Sequence, residues 1–238
     1  NNIYVRKLDY QTEVPVTTDG LRNSIINGTS DWTYEEEFQT TCSMAWAPDN
    51  LTLCYIKYNE TDVPTYDMQR YGGACDPDEA AMLYPQTWSY KYPLAGKPNS
   101  KVTLHSYDVE TRKTKDLALP DSRIEYIPRL HYGPDAETLV VATLNRDQNH
   151  YEIYRVNPKS TVAKSIYSED SKSWINTSAY EDILFADDSF YINSWKSGYN
   201  CIYQISYSGT AMRTISDAEH DITCLLYTSP SPRDRTRS

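Results

Sequence analysis

The chain has 238 residues, 39% of them hydrophobic, with 22 tyrosines and only 8 glycines, enough apolar material for a buried core and unlike the core-poor composition of a disordered chain. Its formal net charge of −10 argues against the concentrated basic face that nucleic-acid phosphates demand and favours cationic ligands such as peptide amines. No stretch approaches the roughly 18–20 consecutive apolar residues of a membrane helix, and the mean hydropathy is −0.68.

Ile3-Tyr4-Val5 reads as a first short strand. The run Ser30-Asp31-Trp32-Thr33-Tyr34-Glu35-Glu36-Glu37 follows. Ser30 or Asp31 is suited to cap a short helix there, and acids near a helix start are favoured by its dipole. Three adjacent carboxylates repel one another unless a cation shares the site. By itself such a run is most often a solvated face; held rigidly, its acidic pair suits a primary ammonium.

Residues 45–50, Ala-Trp-Ala-Pro-Asp-Asn, read as a strand and turn leading into a β-forming run at 51–58. Residues 61–100 are irregular, rich in Pro, Gly, Tyr and acids, with a helix candidate at 76–82; they read as blade strands extended by loops. Two further hairpins start at Tyr132-Gly133-Pro134-Asp135 and Phe185-Ala186-Asp187-Asp188, each leading into a strand at 138–144 and 190–195. Second hairpins turn near 157–160 and 206–209.

A pattern recurs through these elements at Thr103-Leu104-His105, Ile153-Tyr154-Arg155-Val156 and Ile202-Tyr203-Gln204-Ile205, with 49 residues between successive copies and about twice that back to Ile3. Four short strands in a repeat of that length indicate a propeller blade. Trp46, Trp174 and Trp195 are expected to pack against strands.

The glycines at 20, 28, 72, 73, 96, 133, 198 and 209 include no pair spaced four apart, so no Gly-x-Ser-x-Gly elbow is present. Nor is there a dinucleotide fingerprint, a phosphate-binding loop or a His-Glu-x-x-His motif. Cys42, Cys54, Cys75 and Cys201 form no Cys-x-x-Cys pair, and nothing implies a metal or organic cofactor. Cys42 and Cys54 flank a turn, which permits a disulfide, although buried free thiols are the commoner outcome. Asn27, Asn50, Asn59 and Asn176 head Asn-x-Ser/Thr triplets that matter only where the source glycosylates. Residues 224–238, rich in Pro, Ser and Arg, break with the strand pattern and read as a non-native adapter-derived tail.

Asp31-Trp32-Thr33-Tyr34-Glu35-Glu36-Glu37 is succeeded in order by Tyr58-Asn59-Glu60-Thr61-Asp62-Val63-Pro64, Tyr84-Pro85 and Tyr92-Pro93-Leu94-Ala95-Gly96. This succession resembles the glutamate motif and later landmarks of the dipeptidyl peptidase IV family, a branch of the prolyl oligopeptidase-like serine peptidases. The resemblance implies an all-β partial β-propeller over residues 1–223, three to four blades of an eight-bladed propeller, with a short helix carrying the motif. It implies a C-terminal α/β-hydrolase domain, holding the Ser, Asp and His of the triad, beyond this chain. Carried over residue by residue, it assigns Glu36 and Glu37 to the protonated α-amine of a peptide substrate and leaves Glu35 structural. The expected activity is release of Xaa-Pro or Xaa-Ala dipeptides by an exported homodimer, periplasmic, cell-surface or extracellular, acting on peptides with a free N-terminus. A non-catalytic propeller that binds peptides or proteins is the alternative.

Overall fold

The computed structural model describes residues 1–9, 11–71, 84–223 and 225. The helix expected at 76–82, Cys75, and all of the 224–238 tail except Leu225 lie outside the described residues. By packing, the chain divides into two compact units, residues 1–44 with 55–105 and residues 45–54 with 106–238.

The fold is all-β, a partial β-propeller made of antiparallel blade-type sheets. Strands β1 (Tyr4–Lys7) and β2 (Thr12–Pro15) form a hairpin. Strand β3 (Ile25–Asn27) and helix α1 (Trp32–Glu36) precede the first full sheet. In that sheet β4 (Met44–Trp46) pairs with β5 (Thr52–Asn59), which is followed by β8 (Lys101–Asp108) and β9 (Lys113–Asp116); β3 pairs with the far end of β5. Between β5 and β8 lies a separate hairpin, β6 (Thr65–Arg70) with β7 (Gln86–Lys91).

Two four-stranded meanders follow. One runs β10 (Ile124–Tyr132), β11 (Leu139–Asn145), β12 (His150–Val156) and β13 (Ala163–Asp170). The other, after the short helix α2 (Ser178–Glu181), runs β14 (Leu184–Phe185), β15 (Ser189–Ser194), β16 (Cys201–Ser206) and β17 (Met212–Thr214). The 49-residue repeat therefore marks one structural position, the third strand of each sheet, in β8, β12 and β16.

The sequence of β11, Leu-Val-Val-Ala-Thr-Leu-Asn, is buried over its first six residues, as an inner strand covered on both faces must be. Pro128 lacks an N–H, and it sits in β10, an edge strand of its sheet whose register shifts on either side of Tyr126. Turn acids close the hairpins. Asp49 Oδ1 accepts from the Leu51 N–H at 3.0 Å, Asp135 Oδ1 from the Glu137 N–H at 2.8 Å, and Asn157 Oδ1 from the N–H groups of Lys159 and Ser160, both at 2.9 Å. Gly209 stands at φ 70, where a Cβ would come within 2.8 Å of Ile166 Cα.

The core of the second unit is built on Leu139, Val141, Ile153, Val156, Phe190 and Ile192, all fully buried. Outer strand β9, Lys-Thr-Lys-Asp, is exposed throughout, and its lysines discourage edge-to-edge pairing. Truncating Ile153 to Ala is expected to cost about 2–5 kcal/mol by leaving a cavity, whereas Lys113→Ala changes stability by less than about 0.5 kcal/mol. Urea unfolding of the two variants checks this, and equal shifts in the midpoint contradict the assignment of the core.

Candidate functional site

Helix α1 is held from below by one carboxylate and two aromatic rings. Asp31, in extended backbone at φ −81 and ψ 179, is its N-cap; its Oδ1 accepts from the Tyr34 N–H at 3.0 Å. Its other oxygen accepts from the Ser100 hydroxyl at 2.5 Å, tying the helix start to the chain just before β8. Asp31 is 6% exposed, and burial pushes its carboxyl above the ordinary value of 3.8, with the hydrogen bonds from Ser100 and the Tyr34 and Thr33 backbone opposing the rise.

Buried Tyr34 packs against Phe38 at 5.0 Å between ring centroids and edge-on against Tyr58 at 4.8 Å. The Tyr58 hydroxyl lies 2.6 Å from Ser43 Oγ, and burial raises its pKa well above that of a free tyrosine. Trp32 meets Tyr92 at 4.1 Å. One face of a five-residue helix is thereby locked.

The other face carries the acids. Glu35, Glu36 and Glu37 are all exposed, and none of their carboxylates has a hydrogen-bond or ion-pair partner among the described residues. Glu36 is the last helical residue and Glu37 the C-cap, whose N–H donates to the Thr33 carbonyl at 2.8 Å. Gln39, at φ 51, turns the chain away and donates from Nε2 to the Glu36 carbonyl at 2.6 Å.

This corrects one expectation: the acids were placed at a helix start, where the dipole favours them, and only Glu35 lies in the first turn. Glu36 and Glu37 end the helix, where exposed carbonyl groups repel a carboxylate, so a cation is wanted more than the sequence indicated. The two side chains leave the helix about 100° apart. Glu35, expected to be structural, is exposed and lines a cavity beside the helix.

Other candidates fall out differently. Cys42 is exposed, Cys54 and Cys201 are buried, and all three are free thiols; Cys54 Sγ lies 3.1 Å from the Tyr132 hydroxyl, and burial pushes the thiol up to about 12. Trp46 is 45% and Trp174 70% exposed, against the strand packing expected of them: Trp46 ends a short strand and Trp174 stands on the loop after β13.

A cluster absent from the sequence reading joins Asp121, His150 and Glu152, with His150 Nε2 3.6 Å from an oxygen of each acid. Its spacing suits a metal, but the Arg123 guanidinium already supplies the positive charge, 3.0 Å from Nε2 and 2.8 Å from Asp121. These residues sit 29 and 31 positions after Asp121, and no local motif announces them.

Comparison with known proteins identifies the family. Residues 1–233 match the family described as the dipeptidyl peptidase IV (DPP IV) N-terminal region. A dipeptidyl-aminopeptidase B of Aspergillus niger is 30% identical over 200 residues, covering 79% of this chain and 22% of that protein. The crystal structure of Porphyromonas gingivalis dipeptidyl peptidase 4 is 41% identical with a TM-score of 0.86, over 94% of this chain and 31% of that one. A Bacteroides ovatus structure, 19% identical with a TM-score of 0.68, shares the fold. The chain thus spans about a fifth of the length of the curated relatives it matches.

The raised pKa of Asp31 has a testable sign. Above pH 3.8 the unfolded carboxyl ionises while the folded one still holds its proton, so this group's contribution to stability falls as pH rises through that window and is level beyond it. Asp31→Asn keeps an acceptor for the Tyr34 N–H, so it is expected to remove that fall and to stay within about 1 kcal/mol of the parent at pH 7; Asp31→Ala, lacking the acceptor, costs about 1–3 kcal/mol. Unfolding curves from pH 3 to 7 decide the matter: an Asn variant as unstable as the Ala variant contradicts the cap.

Proposed function

The chain belongs to the dipeptidyl peptidase IV family, and on that premise we propose that it is the substrate-gating, N-terminus-recognising propeller portion of a serine-type dipeptidyl peptidase. Glu36 and Glu37 hold the protonated α-amine of a peptide. The nucleophile belongs to a hydrolase domain outside this chain. The fixed distance between that serine and the acidic pair selects the second peptide bond, and Xaa-Pro or Xaa-Ala dipeptides are released.

What supports this reading is a single observation: two consecutive, exposed and uncompensated carboxylates on a helix whose opposite face is locked by Asp31 and Tyr34. A carboxylate pair on a mobile loop would lose conformational entropy when it gripped an amine. On α1 the backbone share of that entropy is already lost. An ammonium offers three N–H donors, and two carboxylates take them while cancelling their mutual repulsion. A peptide acylated at its N-terminus lacks the charge, and one extended there carries the charge at the wrong distance. The family resemblance, rather than the geometry, supports an exported homodimer acting on peptides with a free N-terminus.

In the full-length enzyme, Glu36→Gln and Glu37→Gln are each expected to lower kcat/KM on an Xaa-Pro substrate about 30- to 5,000-fold, equivalent to roughly 2–5 kcal/mol. An unchanged kcat/KM for Glu37→Gln sinks the assignment. Because a peptide α-amine titrates near about 7.7–8.0, kcat/KM also falls above that range, and the fall moves to lower pH with a substrate whose amine is less basic. A pH profile that ignores the substrate's amine argues against amine recognition.

A further inference from the structure

The Asp121, His150 and Glu152 cluster, within residues 45–54 and 106–238, takes no part in the proposed grip on a peptide amine. His150 opens β12 and Glu152 stands two residues on, so both side chains leave the same face of the strand. Asp121 comes from the loop before β10. The side chains of Asp121, His150 and Glu152 are 15, 10 and 14% exposed. Carboxylates so close and so sheltered need a cation between them.

The groups around the cluster orient it as supporting contacts orient metal ligands. Asp170, opposite His150 in the β12–β13 pair, accepts from Nδ1 at 2.7 Å. A carboxylate only accepts and a guanidinium only donates, so with Arg123 at Nε2 the ring carries its proton on Nδ1 and its lone pair on Nε2. That lone pair lies 3.6 Å from Asp121 Oδ2 and 3.6 Å from Glu152 Oε2. The Tyr154 hydroxyl donates to the same Glu152 oxygen. A carboxylate on the far nitrogen of a ligating histidine is the usual device for fixing its tautomer and raising its basicity.

Distances favour Zn²⁺. A tetrahedral ion with bonds of about 2.0–2.1 Å sets neighbouring donors about 3.3–3.4 Å apart, so each separation from Nε2 need close by only about 0.2–0.3 Å. The two carboxylate oxygens lie within 4.8 Å of each other and approach by side-chain rotation. One imidazole with two carboxylates suits Zn²⁺ better than Mg²⁺ or Ca²⁺, which take oxygen donors.

Arg123 stands where the ion would sit. Its Nη2 is 3.0 Å from Nε2 and 2.8 Å from Asp121 Oδ2, and its Nε donates to both Asp121 oxygens at 3.1 and 2.9 Å. It brings one positive charge to three carboxylates, Asp170 included. Its side chain is 60% exposed, so the guanidinium has solvent to swing into, and an ion pair with so exposed a member is weakly held.

We propose that Asp121, His150 and Glu152 bind Zn²⁺ in exchange for the Arg123 guanidinium, with Asp170 and Tyr154 orienting the ligands and water completing the tetrahedron. The ion clips the loop before β10 to β12. Metal and arginine compete for the same three atoms, and this separates the site from a permanent ion-pair network: removing the arginine tightens zinc binding rather than dismantling the cluster. The assignment does not depend on Glu36 and Glu37.

Calorimetric titration of ZnCl₂ into the full-length protein is expected to show saturable binding that excess Mg²⁺ does not displace. Binding weakens at least tenfold in His150→Gln and in Glu152→Gln, and tightens at least tenfold in Arg123→Gln. Zinc also raises the unfolding midpoint, because it binds the folded state, and the rise disappears in His150→Gln. No saturable binding, an affinity within twofold of the parent in His150→Gln, or no tightening in Arg123→Gln each overturns the proposal. Should His150→Gln and Glu152→Gln fail to fold, Arg123→Gln decides alone, since that side chain is mostly in solvent and an untightened site there is equally fatal.

Discussion

Everything proposed for α1 depends on the way Asp31 ties it down. One carboxylate oxygen closes the first turn through the Tyr34 N–H, and the other takes the Ser100 hydroxyl, 69 positions later in the chain. A five-residue helix has almost no stability of its own, since nucleation costs more than one turn returns. It persists because its cap is bonded on both oxygens and because Tyr34 is sunk between Phe38 and Tyr58. Burying Asp31 is itself unfavourable, as its raised pKa records. The structure accepts that cost to hold the backbone beneath three acidic side chains in place.

The sheets supply the rigid ground. Each full blade is an antiparallel meander, and several of its turns are closed by Asp or Asn side chains, with Gly198 and Gly209 serving others, which helps a chain with 8 glycines make so many hairpins. The β6–β7 hairpin is of another kind, exposed along β6 and the first half of β7, with Tyr66, Met68 and Trp88 about half in solvent. Its aromatic residues gain shelter only where they turn toward α1, as the Trp32–Tyr92 contact just beyond β7 illustrates.

Much of this was legible in the residues because it repeats. The 49-residue interval located the third strand of each blade, and Pro-Asp and Asp-Asp turns located the hairpins, since both are local signals read over a few positions. The capping by Asp31 was equally local. What escaped was whatever depended on where a short element stops: with α1 ending at Glu36, two of the three acids fall at the wrong end for the dipole. Trp46 and Trp174 were assigned to packing by residue type, yet exposure is decided by neighbours distant in sequence. The Asp121, His150 and Glu152 cluster and the cavity beside α1 were illegible for the same reason. The cluster joins the loop before β10 to β12, the cavity joins α1 to β6 and β7, and the irregular stretch that supplies Met68, Trp88 and Tyr90 carries no period to place it.

The central claim, that the acids on α1 grip the leading nitrogen of a peptide, is tested most directly by a structure of the full-length protein with a slowly cleaved peptide bound. The account predicts that nitrogen within roughly 2.7–3.2 Å of carboxylate oxygens from both Glu36 and Glu37, with α1 unmoved. A bound peptide whose leading nitrogen lies elsewhere, with both carboxylates still facing solvent, contradicts it.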